Sequence, residues 1–457
     1  MRAAAESYTR RLERVSLAPL WNTSTRYRLF VFFLLAIVAW GVYAYVVQLR
    51  YGLAMTGMND QVNWGFYIFN FVFWIGVSHV GALISAILRL TNAGWRTPLT
   101  RLGELITISA LLIGAAMIIV DMGRPDRLLN LLFYGRFQSP LIWDVIGVAT
   151  YLTGSLIYLY LPTIPDFAMI RDRLRRTTST IKLKLYTFLA VGWRGTPEQK
   201  ARLDKGVKIM SVMIIPIAVS VHTVVAFVFA MTLRPGWDST VLAPNFVIGA
   251  LFSGMSALMV VMGAFRKFCH LEEYITPKHF KNISYLAIVL LFAYFYFVFV
   301  EYSTVMFKFR LEEKELFTLL LVGQSAPWFW LFFTCAFVLP SVLLLWQREP
   351  TIPRLVIAGI LVNIGMWVKR FVIVVPSMEV PLMPTDFHFA TYMPSWVEIS
   401  IVAAGLAGFI LLLTLSAKIM PVMPFVEMVE EAEEKHAEGK EEKHVQEQHP
   451  VRRRQGV

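Results

Sequence analysis

Cysteine and charge are both scarce in this chain. Its two cysteines, Cys269 and Cys335, stand far apart among 457 residues. Neither belongs to a Cys-x-x-Cys or Cys-x-x-Cys-His pattern, so the sequence offers no ligand set for an iron–sulfur cluster and no attachment site for c-type haem. Charged residues make up 16% of the chain, against roughly 25% in soluble domains. A soluble enzyme, a disordered protein and a disulfide-stabilised scaffold are therefore excluded.

Apolar residues dominate instead. Hydrophobic residues amount to 57% and aromatic residues to 14% of the chain, and the mean hydropathy is +0.58. Apolar runs of about 20 residues, long enough to cross a hydrocarbon core of roughly 30 Å, recur along the sequence. We expect an all-α integral membrane protein whose first apolar run is a retained anchor. The runs predict ten transmembrane helices, at residues 28–48, 64–88, 103–121, 142–161, 209–231, 244–264, 283–300, 327–346, 354–376 and 397–417.

The basic residues predict the orientation of these spans. Of the 43 Lys and Arg residues, 33 lie in the N-terminal segment, the C-terminal tail and the connections after spans two, four, six and eight, counting Arg28 and Arg354 at the adjoining ends of spans one and nine. By the positive-inside rule this side is cytoplasmic, both termini included. The net charge of +12 is then a topology signal, and we expect no nucleic-acid partner. The expected parts are an N-terminal segment, four spans, a basic loop, six spans and a charged tail, with bounds 1–27, 28–161, 162–208, 209–417 and 418–457.

Two further features concern the arrangement of these parts. Spans two and six share flanking asparagine and arginine residues, a faint internal similarity that predicts two four-helix bundles, spans 2–5 and 6–9, flanked by spans 1 and 10. The tail is too polar to fold alone, and we expect it to be solvated or to dock a partner. The histidines of the tail are too irregularly spaced to argue a metal site; they are His436, His444 and His449.

Two histidines interrupt the apolar spans. His79 lies past the middle of span two, and His222 lies in span five, six residues after Pro216. A strongly polar side chain costs about 2.5–3.5 kcal/mol at mid-membrane, so each is a candidate functional residue. Each is either a histidine that packs between helices or an imidazole that relays protons. We favour the relay for His79.

Two adjacent cations, Lys369 and Arg370, lie inside span nine. Cations at this depth must extend to the membrane surface or pair with acids, for which Glu301 and Glu398 are candidates. We expect them to be buried in protein.

Acidic residues cluster near the predicted outer face. Asp121 ends span three and Asp144 opens span four. The connection begins with Asp-Met-Gly-Arg-Pro-Asp-Arg, in which Arg124 and Arg127 can hold the acids ionised. The stretch is either a salt-bridged loop or an outward-facing pocket where a carboxylate accepts a proton from a bound hydroxyl group.

Five stretches together carry a family resemblance. They are residues 63–79 (NWGFYIFNFVFWIGVSH), 121–127 (DMGRPDR), 139–144 (SPLIWD), 220–225 (SVHTVV) and 363–375 (NIGMWVKRFVIVV). In this order they resemble the polysulfide-reductase membrane-subunit family, also called NrfD-like. The last two are similar to the quinol-oxidising (ActC-type) subunit of bacterial alternative complex III. The likeness covers roughly residues 28–417.

The resemblance implies a subunit of the bacterial inner membrane that has two four-helix bundles and no prosthetic group of its own. It implies menaquinol or ubiquinol bound near the outer face, with electrons passed to an iron–sulfur subunit docked there. A second NrfD-like membrane subunit and c-type cytochrome subunits are the further partners it suggests. The catalytic residues expected are His79, Asp121 and Asp144. The quinol-binding residues expected are Arg124, Arg127, Trp64, Phe73 and His222, and no metal site is expected.

Two other classes of protein stay open. A membrane cytochrome with one b-type haem would need His79 and His222 as a facing pair. A secondary transporter would use the charges within the spans to bind substrate, although broken helices in pairs are absent from the sequence pattern and Pro216 is the clearest interruption. Quinone type, direction of electron flow and proton translocation are also left open by the sequence.

Overall fold

The computed structural model describes residues 2–175, 180–308, 310–346, 351–381 and 391–433. These residues are mostly helical, and none of them forms a strand. The α-helices are α1 (Arg2–Trp21), α2 (Thr25–Tyr51), α3 (Phe66–His79), α4 (Ala86–Leu90), α5 (Thr97–Asp121), α6 (Leu128–Phe133), α7 (Pro140–Tyr160), α8 (Ile164–Leu174), α9 (Thr180–Leu189), α10 (Pro197–Ala230), α11 (Leu242–Phe268), α12 (Pro277–Lys308), α13 (Leu311–Leu321), α14 (Ala326–Phe333), α15 (Leu339–Leu345), α16 (Ile352–Glu379) and α17 (Trp396–Ile419).

The described part of the chain contains nine helices that are long and apolar enough to cross a membrane. They correspond to every predicted span except the second, and the class of all-α membrane protein is confirmed. The predicted second span is the short apolar helix α3, which a π-helical segment, Val80–Ser85, joins to α4. Length and hydropathy found this span in the sequence, whereas its break in helical geometry has no compositional signal.

The helices pack in two groups. In one group α3 packs against α5, α5 against α7, and α7 against α10. In the other, α11 packs against α12 and α16, and α14 packs against α16. The groups meet where α3 contacts α11 and α16 and where α10 contacts α11.

The first and last spans form a separate pair. Helix α2 packs along α17, and a Cβ atom on Gly41 would lie only 2.2 Å from Cβ of Ala404. Small residues permit this approach, which supplies the dispersion contacts on which helix association in lipid depends. The indole of Trp40 also donates a hydrogen bond to Ser400, over 3.0 Å.

The two ends of the helices differ in what covers them. We name the end that carries α1, α8, α9 and residues 421–433 the terminal face, and the end that carries residues 122–139 and 231–241 the loop face. At the terminal face α8 and α9 pack against each other, and their apolar side chains share one cluster with Leu17 and Leu20 of α1. The described start of the charged tail is packed here as well, because Met423 and Phe425 are buried.

Helix interruptions do not lie where the sequence suggests. Helix α10 continues through Pro216 to Ala230. The interruptions are the π-helical segments Val80–Ser85 and Thr334–Val338. A π-helical turn carries one extra residue per turn, is often found at functional sites, and changes the direction of the following side chains without breaking the rod.

Candidate functional site

One face of α7 carries a buried polar stripe. Asp144, Val148, Tyr151, Ser155 and Tyr158 recur at helical spacing and are all buried. Residues spaced by three or four positions share a helix face, and the 14 steps from Asp144 to Tyr158 span about 21 Å. Titratable and hydroxyl groups therefore recur along most of this face, with the apolar Val148 between Asp144 and Tyr151.

His79 lies against the middle of this stripe. It is fully buried, and its ring centroid lies 5.2 Å from that of Tyr151. Its Nδ1 is 2.7 Å from the carbonyl oxygen of Ile75 and its Nε2 is 2.8 Å from that of Ala218. A neutral imidazole has one N–H and can donate to one of these carbonyls, whereas an imidazolium donates to both. The two carbonyl oxygens can therefore accept hydrogen bonds from both nitrogens of a protonated His79 ring.

His222 stands beside His79 in a different setting. The two ring centroids are 4.3 Å apart with the rings nearly edge to face. Neither nitrogen of His222 has a hydrogen-bond partner among the described residues, although the side chain is fully buried. Two imidazoles that ligate one haem must lie on opposite sides of the macrocycle, and rings in direct contact do not fit that arrangement.

Glu104 of α5 lies near the terminal-face end of the stripe. This carboxylate is buried and accepts a hydrogen bond from Ser85, over 3.2 Å. The Ser85 hydroxyl also lies 3.3 Å from the hydroxyl of Tyr158, which accepts a hydrogen bond of 3.3 Å from Ser211. The π-helical turn ends at Ser85, which reaches both Glu104 and Tyr158.

Asp121 belongs to a second cluster at the loop face. One of its carboxylate oxygens is buried without a hydrogen-bond partner among the described residues, and Glu398 and Tyr67 lie within electrostatic range. The hydroxyl of Tyr67 donates to Gln48 over 2.6 Å. Glu398 is fully buried at the start of α17 and accepts a hydrogen bond from the Tyr392 hydroxyl.

The two predicted acids have different neighbours. Asp144 faces the interior of the first group, and one of its oxygens also lacks a hydrogen-bond partner among the described residues. Asp121 faces α3 and α17. No hydrogen bond or ion pair joins these two acids within the part of the chain that the structure describes.

The arginines of the connection do not neutralise either acid. Arg124 pairs with Asp126, with Nε 3.2 Å from Oδ1, and both side chains are more than half exposed. This hydrogen bond holds the pKa of the Asp126 carboxyl below its usual value. Arg127 is exposed on the same connection. The salt-bridged loop and the buried acids are therefore separate features.

The two predicted aromatic contacts lie in different places. Trp64 stacks on Trp237, with ring centroids 5.9 Å apart, and meets Phe229 edge to face at 5.5 Å. Phe73 packs edge to face against Trp74 at 5.3 Å. Both are half-buried, and no ring contact links them among the described residues.

The second helix group holds an ion pair at its centre. Nζ of Lys369 lies 3.1 and 3.2 Å from the two carboxylate oxygens of Glu301, which confirms the predicted pairing. Asn245 donates to the same carboxylate and Tyr302 accepts from Lys369. Glu301 and Tyr302 also line a cavity of about 20 Å³ with Trp237, enough for one water molecule.

The sequence did not identify several of these residues as candidates. Glu104 stands near the predicted start of span three, where an interfacial acid is ordinary, and Tyr151 and Tyr158 are compatible with plain aromatic packing. The spacing of Asp144, Tyr151 and Tyr158 by multiples of seven is the signal that could have found the stripe.

Comparison with known proteins gives a family and several relatives. The profile described as polysulphide reductase, NrfD matches residues 54–381. The chain is 32% identical over 232 residues to a putative dimethyl sulfoxide reductase membrane subunit from Halobacterium salinarum, an alignment that spans half of this chain and 49% of the relative. It is 22% identical to a selenate reductase subunit from Mesobacillus selenatarsenatis, over 84% of this chain and 91% of that one. It is also 22% identical to the Hdr-like menaquinol oxidoreductase integral membrane subunit from Archaeoglobus fulgidus, over 82% and 89% of the two chains.

Proposed function

The chain belongs to the polysulphide reductase NrfD family, and we propose that it is the quinol-binding membrane subunit of a respiratory or photosynthetic electron-transfer complex. The names of the relatives connect such subunits with menaquinol and with reductase complexes. In the proposed reaction a quinol is oxidised near the loop face, and its two electrons pass to an iron–sulfur subunit docked there. The resemblance to alternative complex III extends the proposal to a second NrfD-like subunit and c-type cytochromes as partners.

The proposed architecture is ten spans in two four-helix bundles with both termini in the cytoplasm. The packing of α3, α5, α7 and α10 and of α11, α12, α14 and α16 supports it, as does the pairing of α2 with α17. The terminal face, with its excess of Lys and Arg, is then the cytoplasmic side. The inner membrane of a bacterial cell is the location we propose.

The observation that carries the proposal is the buried carboxyl group of Asp144 at the loop-face end of the polar stripe. Quinol oxidation releases two protons with two electrons, so the reaction needs a proton acceptor close to the quinol hydroxyl groups. Asp144 has a buried oxygen without a partner among the described residues, and it shares its helix face with Tyr151, which contacts His79. A proton accepted at Asp144 can then move toward His79, and coupling to proton translocation is part of the proposal.

The test is Asp144→Asn in the assembled complex. We expect quinol oxidation to fall by about 10²-fold, the usual range for loss of a proton acceptor, with subunit assembly unchanged. Asp126→Asn is the matched control, because Asp126 is exposed and pairs with Arg124, and it should leave the rate unchanged. Asp121→Asn tests the loop-face cluster separately. Full turnover in both Asp144→Asn and Asp121→Asn would contradict the proposal.

A further inference from the structure

Residues 421–433 turn back over the terminal face and lie against the end of the first helix group. We call this segment the strap. Residues 425–433 of it are helical. Its side chains that face the helices are apolar and buried: Val422, Met423, Phe425 and Met428. The strap is therefore docked on this chain by the same burial that stabilises the rest of the fold.

One ion-pair cluster fastens the strap. The carboxylate of Glu427 lies 3.3 Å from Arg89 and 3.0 Å from Arg96. Burial alone would raise the pKa of Glu427, but the two guanidinium groups outweigh it and the pKa lies below its ordinary value. A lowered pKa means that the contribution to stability is present at neutral pH and is lost only when pH falls through the lowered value.

A second contact lies deeper. The backbone N–H of Val426 donates to Asp166 over 3.0 Å, and Asp166 pairs with Arg101, also over 3.0 Å. Arg101 donates in turn to the carbonyl oxygen of Pro421, at 3.4 Å. Asp166 and Arg101 are each about 1% exposed, so the strap closes over a charged pair that water would otherwise reach.

Glu104 lies close to the ion pairs that hold the strap. Arg89 lies 3.3 Å from Glu427 and has Glu104 and Tyr158 within electrostatic range. Arg96 lines a cavity of about 10 Å³ together with Ser85, the donor to Glu104. Glu427 and Arg89 are thus both within electrostatic range of Glu104, which is buried.

We propose that Glu104 is a proton-exchange site of the terminal face, and that the strap closes it until Glu427 leaves Arg89 and Arg96. In the open state water reaches the Glu104 carboxylate, which takes up or releases one proton, and Ser85 and Tyr158 continue the hydrogen-bonded path toward the centre. No electron transfer is involved, and the inference stands independently of the quinone chemistry proposed above.

The ion pairs that Glu427 makes with Arg89 and Arg96 are of a kind that can break in water. The Glu427 and arginine side chains are about one-sixth to one-quarter exposed, and such pairs contribute little in water and are screened by salt. The strap follows α17, and its ion pairs are with side chains at the ends of helices, so its opening is local. It can therefore open while the helix groups stay intact.

The experiment measures access of water-soluble reagents to Glu104 in the full-length chain in lipid nanodiscs. A water-soluble carbodiimide with glycine ethyl ester labels accessible carboxyl groups, and peptide mass spectrometry gives the labelling of Glu104 relative to exposed Asp126. In wild-type protein we expect little labelling of Glu104. In Glu427→Gln we expect about a tenfold increase, since a hydrogen-bonded charge pair is lost, together with faster hydrogen exchange of residues 421–433.

Glu430→Gln is the matched control. It lies on the same short helix but pairs with Lys200 at the surface, where both side chains are 40% exposed or more, and we expect labelling of Glu104 to stay at the wild-type level. A chain shortened to end at Met420, and wild-type protein at rising ionic strength, give independent measurements should Glu427→Gln fail to fold. Equal labelling of Glu104 with the strap closed, opened by salt and removed would overturn the proposal.

Discussion

At the scale of single residues, the buried polar side chains divide by whether their hydrogen bonds are complete. Lys369 and Glu301 satisfy each other with help from Asn245 and Tyr302. Asp144 and His222 instead keep buried polar atoms without partners among the described residues. An unpaired buried polar group lowers stability by about 1–3 kcal/mol. A fold keeps such a group when the group has a ligand or a proton to bind. We therefore assign the proton chemistry to the residues whose hydrogen bonds are incomplete.

His79→Leu tests the relay at this scale. Removing the imidazole breaks the path between Tyr151 and His222, and we expect turnover of the assembled complex to fall by about 10²-fold. The unfolding free energy should fall by only about 1–3 kcal/mol, because the ring loses its hydrogen bonding to the carbonyl oxygens of Ile75 and Ala218. Thr223→Val, on the exposed face of α10, is the control and should keep full turnover. Unchanged turnover in His79→Leu would leave it as a packing residue.

Lys369→Met tests the ion pair. It leaves the Glu301 carboxylate buried without its cation, and we expect a loss of roughly 3–5 kcal/mol in unfolding free energy. Adding Glu301→Gln should recover most of the loss, since the neutral amide keeps an oxygen for Asn245. Lys308→Met removes a partly exposed cation 3.5 Å from Asp238 and should cost less than about 1 kcal/mol. Thermal unfolding in nanodiscs compares the variants, and equal losses in Lys369→Met and Lys308→Met would contradict this account.

At the scale of elements, the π-helical segment Val80–Ser85 sets the geometry of the first group. A Cβ atom at Gly81 would lie 2.0 Å from the carbonyl oxygen of Gly103, so α5 crosses the segment at backbone contact. Thr107 lies at the same crossing, where its hydroxyl accepts from the Gly81 N–H and donates to the carbonyl of Ser78. The crossing holds Ser85 and Glu104 on facing surfaces.

Gly81→Ala tests this crossing. The obstructing atom is backbone, so the two elements must separate, and we expect a loss of roughly 1–3 kcal/mol in unfolding free energy. Labelling of Glu104 by carbodiimide should rise as well, because the crossing and the cavity share Gly103. Gly206→Ala on α10 has its nearest contact at 3.8 Å and should be neutral or stabilising, as alanine favours helix. A Gly81→Ala protein as stable as wild type would show that the crossing is not tight in solution.

At the scale of the whole molecule, the buried polar groups include a cluster near each face and a pair of histidines in contact. The loop-face cluster holds Asp121 and Glu398, and the terminal-face cluster holds Glu104. His79 of α3 and His222 of α10 belong to the first helix group, and Arg370 of α16 is within electrostatic range of both rings. The proposed proton path runs between the two faces, and its direction depends on which face meets the cytoplasm.

Labelling of single cysteines in intact cells decides the orientation. In a background carrying Cys269→Ser and Cys335→Ala, Asp126→Cys places a thiol on the loop face and Lys200→Cys places one on the terminal face. We expect a membrane-impermeant maleimide to label Asp126→Cys in intact cells and Lys200→Cys only after permeabilisation. The reverse pattern would invert the proposed topology.

The extent of prediction from sequence differs between the spans and the site. The apolar runs predicted the spans. Because burying an uncompensated charge in lipid is costly, the sequence also indicated Glu301 as one of two candidate partners of Lys369, and the structure shows this pair. The neighbours of Asp121 and Asp144 could not be predicted, because each acid's direction depends on the rotation of its own helix. The pairing of Arg124 with Asp126 could not be predicted either, since a short loop can join several charges in several ways.

The length of the apolar runs determined that this protein consists of membrane helices, because about 20 apolar residues cross a lipid core as a helix whose backbone completes its own hydrogen bonds. Charge distribution determined the orientation we expect. Only the tertiary structure decided which polar groups meet, because one extra residue in a helical turn, as at Val80–Ser85, rotates the side chains that follow by about 100° and selects their neighbours. The stripe on α7, the contact of His79 with His222 and the strap over Glu104 all depend on how the helices are rotated and packed.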